Sequence, residues 1–471
     1  MKSSYQHIAV RFAILLFAFG FSRAHAQPSN PVHKYNGLNF TLSKNKSPIE
    51  ILQLLNNKGY PYAQIELDTL LPEHTTYQFA WNVSLGNLVL LDTITTSQIL
   101  FNKKTLQRCI NYQPGQPFNA DKVDRIVSAL NQISFLKPNA QLSIRMHSET
   151  FSIGLKTERA KNNLISALVA LQPNAKTNTN KNSNQSILTG NIDLELSNML
   201  KQAEAIEFHW KRPQPQSQSL ALKLSSPFTA GLPIGFQFEF ASFLRDSSFS
   251  STDLSVRLLT KMNDLNGFSV AVNRSANAHF HSSSTFGNTQ NKSYSLRYSK
   301  YQISPNAINF LVEGQAGNRT IQYESNTSLK KMYALKGKIW SKYNVNKFLF
   351  TNLNIEANSI FSDSLFDNEI SRLGGTKNLR AFIEESIYCS QYAMLNCDIG
   401  TTLGSDIQLF VFGDWAHIQK PIRKNYYDTG LGFRVQQESG SVSITYGVGN
   451  IENNGLQLKN GRIGITFSSR F

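Results

Sequence analysis

From about residue 161 to Phe471 the chain alternates apolar and polar residues with a period of two. Successive side chains of an extended strand point to opposite faces, so this pattern describes a sheet with one apolar and one polar face. The last segment shows it best. Ile463, Ile465, Phe467 and Phe471 share a face with Ser469, while Arg462, Gly464, Thr466, Ser468 and Arg470 share the other. Earlier segments follow the same rule: Val442/Ile444/Tyr446/Val448, Leu431/Phe433/Val435, Ile407/Leu409/Val411, Phe348/Phe350, Leu335/Ile339 and Ile308/Phe310/Val312. Further back stand Tyr294/Leu296/Tyr298, Phe268/Val270/Val272, Leu254/Val256/Leu258, Phe236/Phe238/Phe240, Leu220/Leu222/Leu224, Ile206/Phe208/Trp210, Ile192/Leu194/Leu196 and Ile165/Val169/Leu171. With one poorly patterned segment at Tyr392–Ile399, sixteen strands are expected.

A soluble sandwich or propeller alternates too, but here the faces opposite the apolar ones carry Asp193, Glu195, Lys223, Glu239, Arg257, Arg297, Glu313, Lys338 and Arg434. A packed core cannot hold so many charges, whereas the wet lumen of a membrane barrel can. After residue 26 no window of 18 apolar residues exists, which excludes membrane-spanning helices. The even strand count suits a closed antiparallel barrel. If its first strand rises from the periplasm, the outer loops include 173–186, 273–292, 313–331, 359–385, 416–428 and 450–461. Turns such as 404–406 and 438–440 at the other end are short. Pro173–Ser186, rich in Asn, Lys and Thr, reads as a loop rather than a domain linker. The expected fold is therefore a transmembrane β-barrel of about 16 antiparallel strands over residues 160–471.

Residues 1–26 read as a secretory signal peptide. Lys2 and Arg11 precede an apolar run from Phe12 to Phe21, and Ala24-His25-Ala26 closes it with small residues at both critical places. The formal charge is +16, with Lys2, Arg11 and Arg23 inside that segment. In an exported chain the counter-charges are anionic lipid and glycolipid rather than nucleic acid, and no basic cluster interleaved with aromatics appears. Three cysteines do not make a disulfide scaffold. Cys389 and Cys397 are expected on one strand, about 27 Å apart, which is too far to bond. No G-x-S-x-G, H-E-x-x-H or Walker-type motif occurs. His279-x-His281 reads as a solvated loop pair, so no enzyme chemistry, cofactor or metal is expected.

Residues 37–158 change character to mixed α and β. Ser47-Pro48-Ile49-Glu50 is a capping box with proline at the first helical position, and Gly59 supplies the stop. Strands are expected at about 62–69 and 76–84. A second unit opens with a strand at Leu88–Ile94 and a helix near Ile99–Tyr112, which Pro114-Gly115-Gln116-Pro117 ends. Asn119 then caps a helix with Val123, Ile126, Val127 and Leu130 on one face, and strands at about 140–147 and 150–157 follow. This βααββ order resembles a POTRA domain over 86–158, with a partial POTRA-like unit over 37–85.

The mature chain as a whole resembles the BamA/TamA superfamily. The most specific stretch is Arg372-Leu373-Gly374-Gly375-Thr376-Lys377-Asn378-Leu379-Arg380-Ala381-Phe382, in the sixth outer loop between strands eleven and twelve. The family carries Gly-Gly followed by an R-G-F/Y element there; Ala381 stands in place of its glycine, and a Cβ at that position limits positive φ. The resemblance implies that the loop folds back into the lumen and that Arg380 meets an acid on strand thirteen. Phe412-Gly413-Asp414 makes Asp414 that partner. Ile463, Ile465, Phe467 and the terminal Phe471 match the insertion signal of outer-membrane barrels.

The resemblance further implies an outer-membrane location with the POTRA-like region in the periplasm, and assembly or insertion of outer-membrane proteins. A laterally opening seam and strand addition would template the client. A secretion translocator of the two-partner type, and a passive pore or structural barrel, are the alternatives. The implied partners are outer-membrane lipid and glycolipid, unfolded outer-membrane or secreted polypeptides, and accessory periplasmic subunits. N-terminal sequencing of the membrane-purified protein is expected to begin at Gln27; a mature form beginning at Met1 would refute the export argument.

Overall fold

The computed structural model describes residues 33–471 apart from 36–37, 41–47, 74–75, 132, 134, 138, 174–185, 215, 227–233, 247, 261–266, 281–284, 303–305, 324–325, 405, 438, 451–454 and 459–460. The expected signal segment 1–26, Ser47, His281 and nearly all of 173–186 lie outside the described residues.

Two paired strands, β1 (His33–Tyr35) and β2 (Leu38–Phe40), precede helix α1 (Pro48–Asn57) and an antiparallel pair, β3 (Gln64–Glu73) and β4 (Thr76–Ser84). Proline begins α1, where its missing N–H is no loss. Gly59 ends it at φ +103°, a conformation closed to most side chains, with Leu88 and Pro117 packed where a Cβ would stand.

The next unit comprises β5 (Leu90–Thr96), α2 (Lys103–Cys109), α3 (Ala120–Asn131), β6 (Gln141–Met146) and β7 (Thr150–Lys156). Its sheet order is β5-β7-β6, with β5 parallel and β6 antiparallel to β7. The helix expected near Ile99–Tyr112 is shorter because Asn102 caps it, its side chain accepting from the Thr105 amide at 2.8 Å. Val123, Ile126 and Leu130 bury one face of α3, and Tyr112 sits edge-on to Phe151 at 5.7 Å. Burial pushes the Cys109 thiol up to about 12, which makes it an inert core residue. Residues 198–204 join this unit to the barrel: Asn198 donates to the Leu100 carbonyl at 2.7 Å, and the Asn102 amide donates to that of Lys201 at 3.0 Å.

The remaining strands are β8 (Leu164–Pro173), β9 (Ser186–Ser197), β10 (Ala205–Gln214), β11 (Ser217–Ser226), β12 (Gly235–Arg245), β13 (Phe249–Leu259), β14 (Gly267–His279), β15 (Asn288–Lys300), β16 (Ile308–Gln322), β17 (Thr327–Asn344) and β18 (Leu349–Phe361), followed by β19 (Ser371–Leu373), β20 (Ile387–Cys389), β21 (Gln391–Leu403), β22 (Ile407–Lys420), β23 (Lys424–Gln437), β24 (Gly440–Gly449) and β25 (Arg462–Arg470). All but the β19–β20 pair join one closed antiparallel barrel of sixteen strands. It closes where β25 meets β8, from Ile463↔Leu171 to Arg470↔Leu164. Closure leaves no unpaired sheet edge, which is what a lipid-embedded sheet requires.

The two faces divide as the alternation requires. Val270, Val272, Leu296, Ile399 and Val411 stand exposed on the outside, while Asp193, Arg257, Asn291 and Asp414 are buried within. Charge inside is met by charge: Arg257 and Arg297 both reach Glu313, at 2.5 and 2.8 Å. No described helix is long and apolar enough to cross a membrane.

Three expectations are corrected and one is explained. Phe350 faces inward, packed with Phe410 and Phe412, so Phe348/Phe350 is not an outward pair. The segment at Tyr392–Ile399 is poorly patterned because Tyr392 and Met394 are apolar on its lumen side, where they pack under loop six. Cys389 lies on β20 and Cys397 on β21, and both are free. Finally, three of the outer loops, expected at 273–292, 313–331 and 416–428, are shorter, while the sixth, expected at 359–385, extends to Ser390. β14 and β15 continue to His279 and from Asn288, β16 and β17 meet across 323–326, and β22 and β23 meet across 421–423. Apolar alternation stops where lipid stops, but backbone hydrogen bonding needs no apolar side chains and continues through polar hairpins.

Leu353 faces lipid midway along β18, and its neighbour Asn352 faces the lumen with a 3.1 Å hydrogen bond to Asp398. Leu353→Arg is expected to destabilise the barrel by about 2–4 kcal/mol, whereas Asn352→Arg should assemble normally. Heat-modifiability on gels reads both; equal behaviour would show the phase is wrong.

Candidate functional site in the sixth loop

The connection from β18 to β21 is the long loop that carries Gly374–Phe382. β19 and β20 pair within it, Leu373 opposite Ile387, and make a hairpin stem. Its tip turns sharply: the Gly375 amide donates to the Leu379 carbonyl at 3.0 Å and the Phe382 amide to the same carbonyl at 3.1 Å. Gly374 and Gly375 hold φ of +106° and +104°. A Cβ on the first would run into the Ile383 carbonyl, and on the second into the Glu384 carboxylate, so the pair serves both conformation and close approach.

The tip lies inside the barrel. Leu379 is fully buried, and Leu373, Leu379, Phe382 and Cys389 of the loop pack on Tyr392, Met394, Ala416 and Ile418 of β21 and β22. An apolar stretch of the lumen wall is thus the seat of this loop.

Arg380 and Asp414 are brought together. Nε donates to Oδ2 at 2.8 Å and Nη2 to Oδ1 at 2.7 Å, the two parallel bonds that a planar guanidinium makes with a carboxylate. Nη1 meets Asp398 at 2.7 Å, and the guanidinium stacks over Phe412 at 3.9 Å. The Asp414 side chain is fully buried and that of Arg380 nearly so. Asn396 donates to Asp414 at 2.9 Å and to the Asn378 carbonyl at 2.5 Å. The Ala381 amide donates to Asp428, the register partner of Asp414 on β23, at 3.1 Å. One arginine therefore faces a set of carboxylates on three adjacent strands.

Ala381, where the resembled family has glycine, does not take positive φ. It packs beneath Gly447 and Gly449 of β24, so its methyl occupies space those glycines leave, and the tip is formed without strain at this position. Phe382 meets Tyr426 edge-on at 5.4 Å, and its carbonyl accepts from Arg462 of the last strand. Ile463, Ile465, Phe467 and Phe471 stay apart from this cluster, exposed on the outer face or at the chain end.

Sequence reasoning missed Asp398, Asn396 and Asp428, which inward alternation on β21 and β23 would have revealed. It also missed a second anchor with no such signal. Fully buried Arg319 of β16 donates to Glu369 at 2.7 and 2.5 Å, and to the Asp363 and Ser364 carbonyls at 2.9 and 3.1 Å. Asn368 beside it donates to the Gly287 carbonyl at 2.8 Å. No group able to hold a metal ion occurs among the described residues.

Arg380→Ala would leave Asp414 buried beside Asp428; breaking such a pair from one side costs about 3–5 kcal/mol. Arg380→Lys keeps the charge and loses the fork, so it should fall between. In a double-mutant cycle Arg380→Ala with Asp414→Ala should cost clearly less than the sum of the singles. Proteolysis of the loop in the inserted barrel measures it; additive losses would contradict the pairing.

No known protein family's sequence profile matches this chain, and no curated protein does. Solved structures do. CdiB from Acinetobacter baumannii aligns at 14% identity and TM-score 0.56, over 88% of this chain and 79% of that one. CdiB from Escherichia coli aligns at 12% and 0.55, over 90% and 84%. BamA from Haemophilus ducreyi lacking POTRA domains 1-3 aligns at 13% and 0.49, over 89% and 92%. The chain has the barrel fold of the CdiB structures, the sixteen-stranded fold that the superfamily resemblance implied.

Proposed function

We propose that this protein belongs to the BamA/TamA superfamily and assembles outer-membrane proteins. It sits in the outer membrane with its α/β units, the second of them a POTRA domain, in the periplasm. The carrying observation is the tip of loop six, held in the lumen by Arg380 on Asp414 and Asp398 while Phe382 accepts from Arg462 of the terminal strand. A loop that only shielded the pore would need no tie to the strand that closes the barrel. The β25–β8 contact has eight register pairs, as do β9–β10, β10–β11 and β24–β25, so the closure lies in the short-paired part of the barrel rather than beside the fifteen pairs of β16–β17. Parted edges would offer unpaired N–H and C=O groups to an incoming strand. The work is templating and steering of client polypeptides, with no covalent chemistry.

Ser166 and Ser468 face each other across the closure. Replacing both by cysteine, with Cys397→Ala to remove the remaining partly exposed thiol, gives a barrel that oxidation can lock. In proteoliposomes the reduced protein should accelerate folding of a client barrel, and oxidation should abolish this reversibly. Equal acceleration by the locked form would refute the reading. Passage of an extended secreted polypeptide through the locked form would favour a translocator, and steady conductance with neither activity would favour a pore.

A further inference from the structure

Every carboxylate on the barrel strands faces the lumen by register, including Asp193, Glu207, Glu239, Asp253, Glu313, Glu356, Asp398, Asp414 and Asp428. Some cations do not. Arg274 of β14 stands directly opposite Lys292 of β15, Lys292 opposite Asn318 of β16, and Asn318 opposite Lys331 of β17. All four are exposed, and they alternate with buried or half-buried neighbours, which sets them on the outer wall. Like charges directly opposite each other in a sheet repel. Across one strand spacing Arg274 and Lys292 are about 5 Å apart, and Lys331 lies about 10 Å from Lys292. No ion pair joins any of the three to another described residue.

The row has a defined height. One step toward the α/β end, the paired positions are Val256, Val272, Tyr294, Ala316, Tyr333 and Phe361. Below these come Val270, Leu296 and Leu335. On β14, β15 and β17 the change from apolar to charged occurs in a single register step, with two tyrosines at the boundary, while Leu254 opposite Arg274 and Leu329 beyond Lys331 remain apolar. Tyrosine favours that level of a membrane, where its ring is in hydrocarbon and its hydroxyl is wet. The cations therefore stand at the headgroups, on the loop-six side of the barrel.

We infer that Arg274, Lys292 and Lys331 form a site on the outer wall for the phosphate-bearing headgroup of a membrane lipid. The apolar band below receives the acyl chains, and the phosphate oxygens accept from Arg274 and Lys292 together, which relieves their repulsion. Lys331 extends the site to a second anionic group of the same headgroup, and Asn318 between them offers a neutral donor. This rests on the outer face lying in lipid and is independent of client assembly.

The full chain in nanodiscs of phosphatidylcholine doped with phosphatidic acid, released into native mass spectrometry, tests it. Phosphatidic acid should be retained over phosphatidylcholine. Retention should fall at least about tenfold in Arg274→Gln/Lys292→Gln/Lys331→Gln, given the attraction each such charge supplies near a membrane surface. Lys342→Gln, which removes a lumen cation, should retain it unchanged. Equal retention of the two lipids, no loss in the triple variant, or equal loss in Lys342→Gln would overturn the site. Pyrophosphate bound to the row in detergent with no retained lipid would overturn its assignment to a lipid headgroup. Should the triple variant fail to assemble, Lys292→Gln alone is expected to lower retention. Client folding by the triple variant should match the parent, so loss of that activity in both would count against the assembly reading and not against this site.

Discussion

In hydrocarbon a backbone N–H or C=O without a partner has no water to turn to, and each costs several kcal/mol. A sheet satisfies this only by closing on itself. From the pairing of β25 with β8 the rest of this structure follows. Closure puts one face of every strand toward lipid and the other toward a cavity. Polarity is therefore inverted relative to a soluble protein: leucines, valines and tyrosines outside, and a wet, charged interior.

An interior of this kind must arrange its charges. On the β13–β16 side it does so within the wall, where Glu313 serves both Arg257 and Arg297. On the β21–β23 side the wall carries three carboxylates, Asp398, Asp414 and Asp428, with Asp414 and Asp428 at paired positions. The compensating cation comes from the loop. Arg380 is thus more than a pin for a mobile segment, because without it those acids face each other across one strand spacing. The same wall supplies Phe412 for the guanidinium to stack on, and Tyr392, Met394 and Ile418 for the apolar part of the tip. Wall and loop are complementary in charge and in hydrophobicity.

Much of this was legible in the residues because a lipid-facing sheet writes its period into the sequence. The sixteen strands follow from alternation, and the Gly374-Gly375 to Phe382 stretch from its rarity and place. Legibility fails where a local environment departs from lipid outside and water inside. Phe350 is apolar yet inward because Phe410 and Phe412 make a dry patch there. Tyr392 and Met394 blur their strand for the same reason. The outer strand ends were invisible since above the headgroups both faces meet water, and Asn273–Asn277 or Asn288–Lys292 read as loop while pairing as strand. Ala381 illustrates the opposite failure. A glycine-to-alanine difference argues for a changed backbone, yet the methyl is received by Gly447 and Gly449 on a distant strand, which no local reading reveals.

The loop tip also spans the closure, and its contacts on the two sides are unequal. Toward the C-terminal strands it holds the Arg380 fork on Asp414, the Ala381 amide on Asp428 and the Phe382 carbonyl on Arg462, with the Arg380, Asp414 and Arg462 side chains buried or nearly so. Toward the N-terminal strands it holds Lys377 on Asp193 at 3.1 Å, with the lysine more than half exposed, and Lys211 at 3.6–3.7 Å from Glu384 and Glu385. The N-terminal contacts are single, long in the case of Lys211 and made by a half-exposed lysine in the case of Lys377, whereas the buried, two-bond Arg380–Asp414 pair costs several kcal/mol to break from one side. Parting β25 from β8 would break the contacts to the N-terminal strands before those to the C-terminal strands. The tip would then stay with β21–β25, and Asp193 and Lys211 would be the groups released.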